Sequence, residues 1–190
     1  MKLHIIAILF SFTFLFTSCN GNISDSDSIL ESFQGANSAN YLVNVTANFP
    51  EREVIFSLDY HYNRDGNDRV LVTAPSEIEG IAFNVKGDAA ELEFDGATLE
   101  MGRLNANGLS PLSALPSLIT SWSDGNFSET ENTRIFNRDA TLVISRDMAD
   151  EIALEFRTWF SKDEQTPLYA ELFSDGERVV QCEFERVEYN

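Results

Sequence analysis

The chain has 190 residues, and its 31 acidic side chains against 13 Lys and Arg give a formal charge of −18 at pH 7. A surface this acidic repels nucleic-acid phosphates and anionic lipid headgroups, which excludes a polyanion-binding role, and it favours a soluble monomer. The length suits one domain that buries a core without disulfide bonds.

The N-terminus has the pattern of an export signal. Lys2 precedes an apolar run over residues 5–16, and small polar residues then lead to Cys19. A charged start, an apolar run and a small-residue cleavage zone are the three parts of a signal peptide. The run has 12 residues, whereas a bilayer-spanning helix needs about 20. The sequence therefore predicts a signal peptide over residues 1–18 and an extracytoplasmic mature protein.

The cleavage zone predicts a lipid anchor. Phe16-Thr17-Ser18-Cys19 resembles the bacterial lipobox, with Phe where Leu is usual, so Cys19 is expected to carry the lipid (a diacylglyceryl group and palmitate) as the first mature residue. Two acyl chains are enough for stable membrane attachment. Residues 19–28 are polar and acidic, which predicts a flexible tether before a domain over residues 29–190. The alternative is a conventional signal cut nearby, with Cys19 left as an unpaired thiol.

The first half of the domain reads as one helix followed by strands. Ile29, Leu30 and Phe33 predict a short amphipathic helix that ends near Gly35. Apolar residues then alternate with polar ones, which indicates half-buried strands. The links Gly87-Asp88 and Asp95-Gly96 are typical of two-residue hairpins. The predicted strands are 41–49, 54–62, 69–74, 81–86, 89–94 and 97–101.

A second helix separates these strands from five more. Ser110 suits an N-cap and Pro111 the first helical position, and apolar residues recur at helical spacing to Trp122. The strands that follow are predicted over residues 127–136, 140–146, 152–160, 168–174 and 178–188, with Asp175-Gly176 as the last hairpin turn. The fold class is therefore mainly β (α+β), with about eleven antiparallel strands, a short N-terminal helix and a covering helix.

Several segments resemble a known group of proteins, the uncharacterised lipoproteins of Clostridia-type bacteria. These segments are Ser76–Ile81, Leu92–Gly96, Gly108–Pro111, Ala114–Pro116, Thr158–Phe160, Pro167, Asp175-Gly176 and Cys182–Phe184. The order of elements looks like the lipoprotein-carrier fold of the Lol system and its mycobacterial lipoprotein relatives. The resemblance implies a curved antiparallel half-barrel with helices over its concave apolar face, and it implies binding of lipid or acyl chains there.

The residues that usually carry catalysis or metal binding are scarce. After the signal peptide the only histidine is His61, and the only cysteine besides Cys19 is Cys182. One His and one Cys cannot build a zinc site, and no Gly-x-Ser-x-Gly motif accompanies His61. Cys182 alternates with apolar neighbours, which predicts a small core residue. We therefore expect no enzyme activity, no metal and no cofactor.

Aromatic residues are the one enrichment that points to a ligand, because they could line a cavity between the sheet and the second helix. The candidate lining residues are Leu115, Ile119, Trp122, Phe56, Tyr60, Phe83 and Trp159. Three functions stay open: a membrane-anchored domain that binds lipid or another apolar small molecule, an envelope interaction or structural module with a filled core, and a hydrolase that uses carboxylates alone.

The lipid anchor is directly testable with Cys19→Ser. We expect this variant to leave the membrane fraction or to remain an unprocessed precursor, because no other strong membrane attachment is visible in the sequence. Cell fractionation follows the variant, and mass spectrometry of the wild-type N-terminus identifies the acyl chains. A wild-type N-terminus without acyl chains would contradict the prediction.

Overall fold

The computed structural model describes residues 25–49, 52–87, 89–103, 111–149 and 151–190. These ranges contain two helices, α1 (Asp25–Gly35) and α2 (Pro111–Asp124). They also contain eleven strands: β1 (Ser38–Phe49), β2 (Arg52–Asn63), β3 (Asp68–Ala74), β4 (Ala82–Lys86), β5 (Ala89–Phe94), β6 (Ala97–Arg103), β7 (Phe127–Ile135), β8 (Arg138–Ala149), β9 (Ile152–Ser161), β10 (Pro167–Ser174) and β11 (Glu177–Tyr189).

All eleven strands belong to one antiparallel sheet with the order β6-β5-β4-β3-β2-β1-β11-β10-β9-β8-β7. Strands β1 to β6 form one meander and β7 to β11 form another. The pairing of β1 with β11 joins the two meanders at the centre, in a register from Ala39 opposite Tyr189 to Ala47 opposite Val180. The sheet stays open, because β6 and β7 end the order without pairing to each other. This confirms the predicted fold class.

The strand alternation gives the sheet one apolar face and one polar face. Residues facing inward along β1 are at most 2% exposed, and each such side chain contributes about 1.5–3 kcal/mol when it is fully buried. The outward residues of the same strand are polar or half-buried. The inward residues of β1 are Ala39, Tyr41, Val43, Val45 and Ala47.

The two helices cover the inward, concave face. α2 presents Ala114, Leu115, Leu118, Ile119 and Trp122 to the sheet, and all five are at most 1% exposed. α1 adds Ile29 and Phe33 to the same core. Gly125, just after α2, has a φ of +66°, and a side chain there would press on Leu30 of α1. The helices and the sheet therefore share one core.

The element boundaries shift by a few residues from the predictions. α1 begins at Asp25, so its first turn occupies residues 25–28, which were assigned to the tether. Pro116 removes one backbone donor inside α2, yet the helix continues to Asp124. The signal peptide, Cys19 and Ser110 lie outside the described residues. Within the described ranges, no helix is long and apolar enough to cross a bilayer.

Two buried tyrosines on neighbouring strands differ in how their hydroxyls are satisfied. Tyr60 donates to Asp68 Oδ2 at 2.6 Å, and Asp68 Oδ1 accepts the Asn63 N–H at 2.9 Å. Burial raises the pKa of Asp68, and these two hydrogen bonds oppose that shift. The Tyr41 hydroxyl is buried near that of Tyr189, but the pair does not reach hydrogen-bond geometry, which costs free energy.

We expect opposite outcomes when these two hydroxyls are removed. Tyr60→Phe deprives a half-buried carboxylate of a donor and is expected to lower the free energy of unfolding by about 1–3 kcal/mol. Tyr41→Phe removes an unsatisfied group and is expected to leave stability unchanged or higher. Urea unfolding of both variants measures the difference, and an equal loss in the two would contradict this account.

Candidate apolar ligand site

The inward side of α2 is packed against the sheet through Trp122. The indole N–H donates to Thr158 Oγ1 at 3.1 Å, and the indole ring lies 5.2 Å from Phe160 and 5.9 Å from Phe184 between centroids. Phe33 of α1 completes the cluster at 6.0 Å. Trp122 is thus enclosed by aromatic rings, and its one polar atom is satisfied.

Most of the predicted lining residues meet in this packed core. Leu115, Ile119, Trp122, Tyr60 and Phe83 are at most 4% exposed, and Phe56 packs partly buried against them. Their joint placement shows that these six belong to one cluster. Their side chains pack against one another in the core. That a ligand contacts any of them remains a proposal.

Trp159 is placed differently from the other predicted residues. Thr158 and Phe160, its neighbours on β9, are 1% exposed and face inward, so Trp159 points to the convex face. There it lies 5.5 Å from the Tyr169 ring. In sequence alone, Trp159 and Phe160 compete for the inward position. In the structure Phe160 faces inward together with Thr158, and Thr158 accepts the hydrogen bond from the Trp122 N–H.

An open cavity of about 370 Å³ lies beside α2 rather than beneath it. Thr120 and Asp124 border the cavity from the helix, and Ser145, Leu154 and Phe156 border it from β8 and β9. Leu154 and Phe156 are at most 4% exposed and form an apolar floor. The volume is within the range of small-molecule sites, which is about 300–1,000 Å³.

The border of the cavity is polar and contains charges. Asp124 and Asp147 place carboxylates there, and Arg103 places a guanidinium there. Arg146 also lines the cavity, and its guanidinium is bound to Glu129 at 2.9 Å and to Glu155 at 2.8 Å. An apolar floor whose border carries hydroxyls and charges of both signs suits an amphipathic molecule with an uncharged polar end.

A second groove, of about 570 Å³, lies near the β10–β11 turn. Its walls include Phe173, with the Arg157 guanidinium 4.4 Å from the ring centroid. Ion pairs from Glu155 to Arg146 and Arg157 cross this groove. It is the weaker candidate because it is shallower and its polar groups already bind one another.

Sequence reasoning missed the cavity residues on α2 because the opposite face of the helix carries the apolar pattern. Ser117, Thr120 and Ser121 line the cavity and recur at a spacing of three or four. In sequence such a row is typical of an ordinary solvent-facing side. Only the curvature of the sheet, which brings β8 and β9 opposite this side, makes it part of a pocket.

His61 and Cys182, the two residues with catalytic potential, lie outside the cavity lining. His61 Nδ1 lies 2.7 Å from Asn40 Oδ1, on the outward face of β2. Cys182 is fully buried in the core, as predicted, and burial raises the pKa of its thiol, which keeps the sulfur protonated. Among the described residues no group of three or more His, Cys, Asp or Glu is arranged to hold a metal ion.

Comparison with solved structures identifies the fold. An outer membrane lipoprotein-sorting protein domain from Vibrio parahaemolyticus is 8% identical, covers 88% of this chain and 92% of its own, and superposes with a TM-score of 0.50. A conserved protein from Thermus thermophilus is 10% identical, covers 88% of both chains and superposes with a TM-score of 0.54. No family model and no curated protein matches the sequence. The chain therefore shares the fold of these two proteins, an open antiparallel half-barrel with helices over its concave face.

The packing of α2 generates a stability prediction for the two tryptophans. Trp122→Ala is expected to cost about 3–5 kcal/mol of unfolding free energy, because it empties a fully buried ring site. Trp159→Ala is the matched control and is expected to cost clearly less, since Trp159 is half-buried on the convex face. Denaturant unfolding compares them, and an equal cost would contradict the assigned core.

Proposed function

We propose that this chain is a membrane-anchored bacterial lipoprotein whose half-barrel binds a lipid or another apolar small molecule without transforming it. The observation that carries the proposal is the apolar-floored cavity of about 370 Å³ between α2 and strands β8 and β9. The lipid on Cys19 holds the domain at the outer side of the cell membrane.

The binding step follows from the character of the cavity surfaces. An acyl chain or a similar apolar body lies against Leu154, Phe156 and the exposed Met148 side chain and moves its own apolar surface out of water. The polar end of the ligand meets Ser145 and the carboxylates of Asp124 and Asp147 at the border. Arg103 and Arg146 balance these two carboxylates, so an uncharged polar end fits best.

Retention of the ligand without chemistry agrees with the surroundings of this cavity. The residues that line the cavity include no histidine or lysine beside Ser145 or Thr120, and a hydroxyl nucleophile is activated by such a base. His61 lies outside the lining and hydrogen-bonds Asn40. The cavity residues therefore serve recognition.

A second function, an interaction module of the envelope, is favoured by a different observation. Phe94 and Leu99 on strands β5 and β6 are 49% and 61% exposed, and both lie on the concave side of the sheet, since Leu99 pairs with Leu92 and Leu92 with Phe83. An exposed apolar surface at a sheet edge is a common feature of protein interaction sites. Under this alternative a protein partner covers β5 and β6.

Filling the cavity from the helix side separates the two functions. Thr120 is exposed on α2 and lines the cavity, so Thr120→Trp is expected to occupy the space while leaving the core intact. We expect at least a tenfold loss of affinity for a fluorescent fatty alcohol, measured by titration.

Ser123→Trp is the matched control, because Ser123 lies on the same helix but outside the cavity lining. Its affinity for the probe is expected to equal that of the wild type. A wild-type protein that does not bind the probe would leave the interaction module as the function, and equal losses in both variants would show that binding does not occur in this cavity.

A further inference from the structure

Among the turns that the structure describes in full, three two-residue hairpin turns have positive φ at both central residues. Two of them consist of Asp-Gly pairs: Asp95 and Gly96 have φ of 48° and 76°, and Asp175 and Gly176 have φ of 49° and 83°. The turn between β7 and β8 places Phe136 and Asn137 at 49° and 62°. Asp-Gly suits such a turn, whereas a bulky side chain is strained in the left-handed region.

The strained phenylalanine is also exposed. Phe136 is 58% accessible, and its ring meets Tyr169 edge-on at 5.8 Å between centroids. Tyr169 in turn lies 5.5 Å from Trp159. We call Phe136, Tyr169 and Trp159 the aromatic rim patch. A backbone outlier that holds an apolar ring in solvent points to a surface with a function.

The aromatic rim patch lies beside the start of α1. The Lys162 N–H donates to the Asp139 carbonyl at 3.2 Å, which places the β9–β10 loop next to the β7–β8 turn. From the same loop, Gln165 accepts a hydrogen bond from Ser32 of α1. At the C-terminal end of α1, Arg64 after β2 donates to the Phe33 carbonyl at 2.9 Å. The helix also contacts β8, so it runs from the β8 side of the sheet towards the end of β2 and starts on the side of the patch.

The proposed lipid anchor then limits how far this rim can be from the membrane. Asp25 follows Cys19 by six positions, and a chain of that length spans at most about 20 Å. Trp and Tyr are enriched at membrane interfaces because their rings combine an apolar body with a polar tip. The tether is short enough for an exposed aromatic group on this side of the domain to reach the headgroup level.

The charges around the β7–β8 turn permit this contact. Arg134 pairs with Asp139 at 3.1 Å, and Arg138 pairs with Glu164 at 3.0 Å. Each of these two carboxylates is balanced by a cation, which reduces the repulsion that they exert on lipid headgroups.

We propose that the aromatic rim patch inserts into the headgroup region of the bilayer, with Phe136 deepest, and so orients the half-barrel on the membrane. The inference rests on the proposed anchor at Cys19. The patch acts as a second, weaker contact that converts a flexible attachment into a fixed one.

The test uses the full lipidated protein in phosphatidylcholine vesicles whose acyl chains carry bromine, which quenches nearby tryptophan. Trp159 is the reporter, and its contribution to the fluorescence is the difference between the wild type and Trp159→Phe. We expect Phe136→Asn, which suits the turn, to reduce the quenching of Trp159 at least twofold. Ile55→Ser is the control: Ile55 is 59% exposed but lies near the opposite ends of the strands, so quenching should stay at the wild-type level.

The outcomes separate this inference from the anchor itself. If the acylated protein floats with the vesicles but Trp159 is not quenched, the proposed membrane contact of the patch is wrong and the anchor is unaffected. The same conclusion follows if Phe136→Asn does not change the quenching. An unmodified N-terminus overturns the anchor and the inference with it. A Phe136-dependent dimer in solution would instead assign the patch to a second copy of the chain.

Discussion

The packing of α2, with α1 beside it, on one curved apolar face is the interaction on which the rest of this structure depends. An open sheet of eleven strands would expose its concave side to water, and α2 removes that exposure through Leu115, Leu118, Ile119 and Trp122. Trp122 is the centre of this contact because its ring touches aromatic groups from α1, β9 and β11. Its N–H requires an inward hydroxyl, and Thr158 on β9 provides it.

This contact also determines where space for the proposed ligand remains. A helix is narrower than the trough of the half-barrel, so α2 fills the part over β1, β9 and β11 and leaves space on its other flank. That flank faces the ends of β8 and β9, where Leu154 and Phe156 lie under the cavity. The filled core and the open cavity are therefore two consequences of one helix position, and stability and binding are assigned to opposite sides of α2.

The sequence predicts the fold well because its signals are local. Alternation predicts the strands, and the Asp-Gly pairs predict two of the tight turns. The site is predicted less well because it depends on which side chains of each element face inward and on how the sheet curves. Trp159 and Phe160 are adjacent aromatics, and only the partner of the Trp122 N–H shows which one faces inward. The polar side of α2 forms a cavity wall only after the sheet curves around it.

The β7–β8 turn is a second feature whose geometry the sequence does not predict. Phe136-Asn137 carries no Gly, so local rules do not predict a two-residue turn with positive φ at both positions. The pairing of Ile135 with Arg138 imposes that geometry from the flanking strands, and the strain falls on Phe136. Where local preference and the sheet disagree in this way, the residue at the position has a cost to the fold. At Phe136 the edge-on contact with Tyr169 and the proposed membrane contact offset that cost.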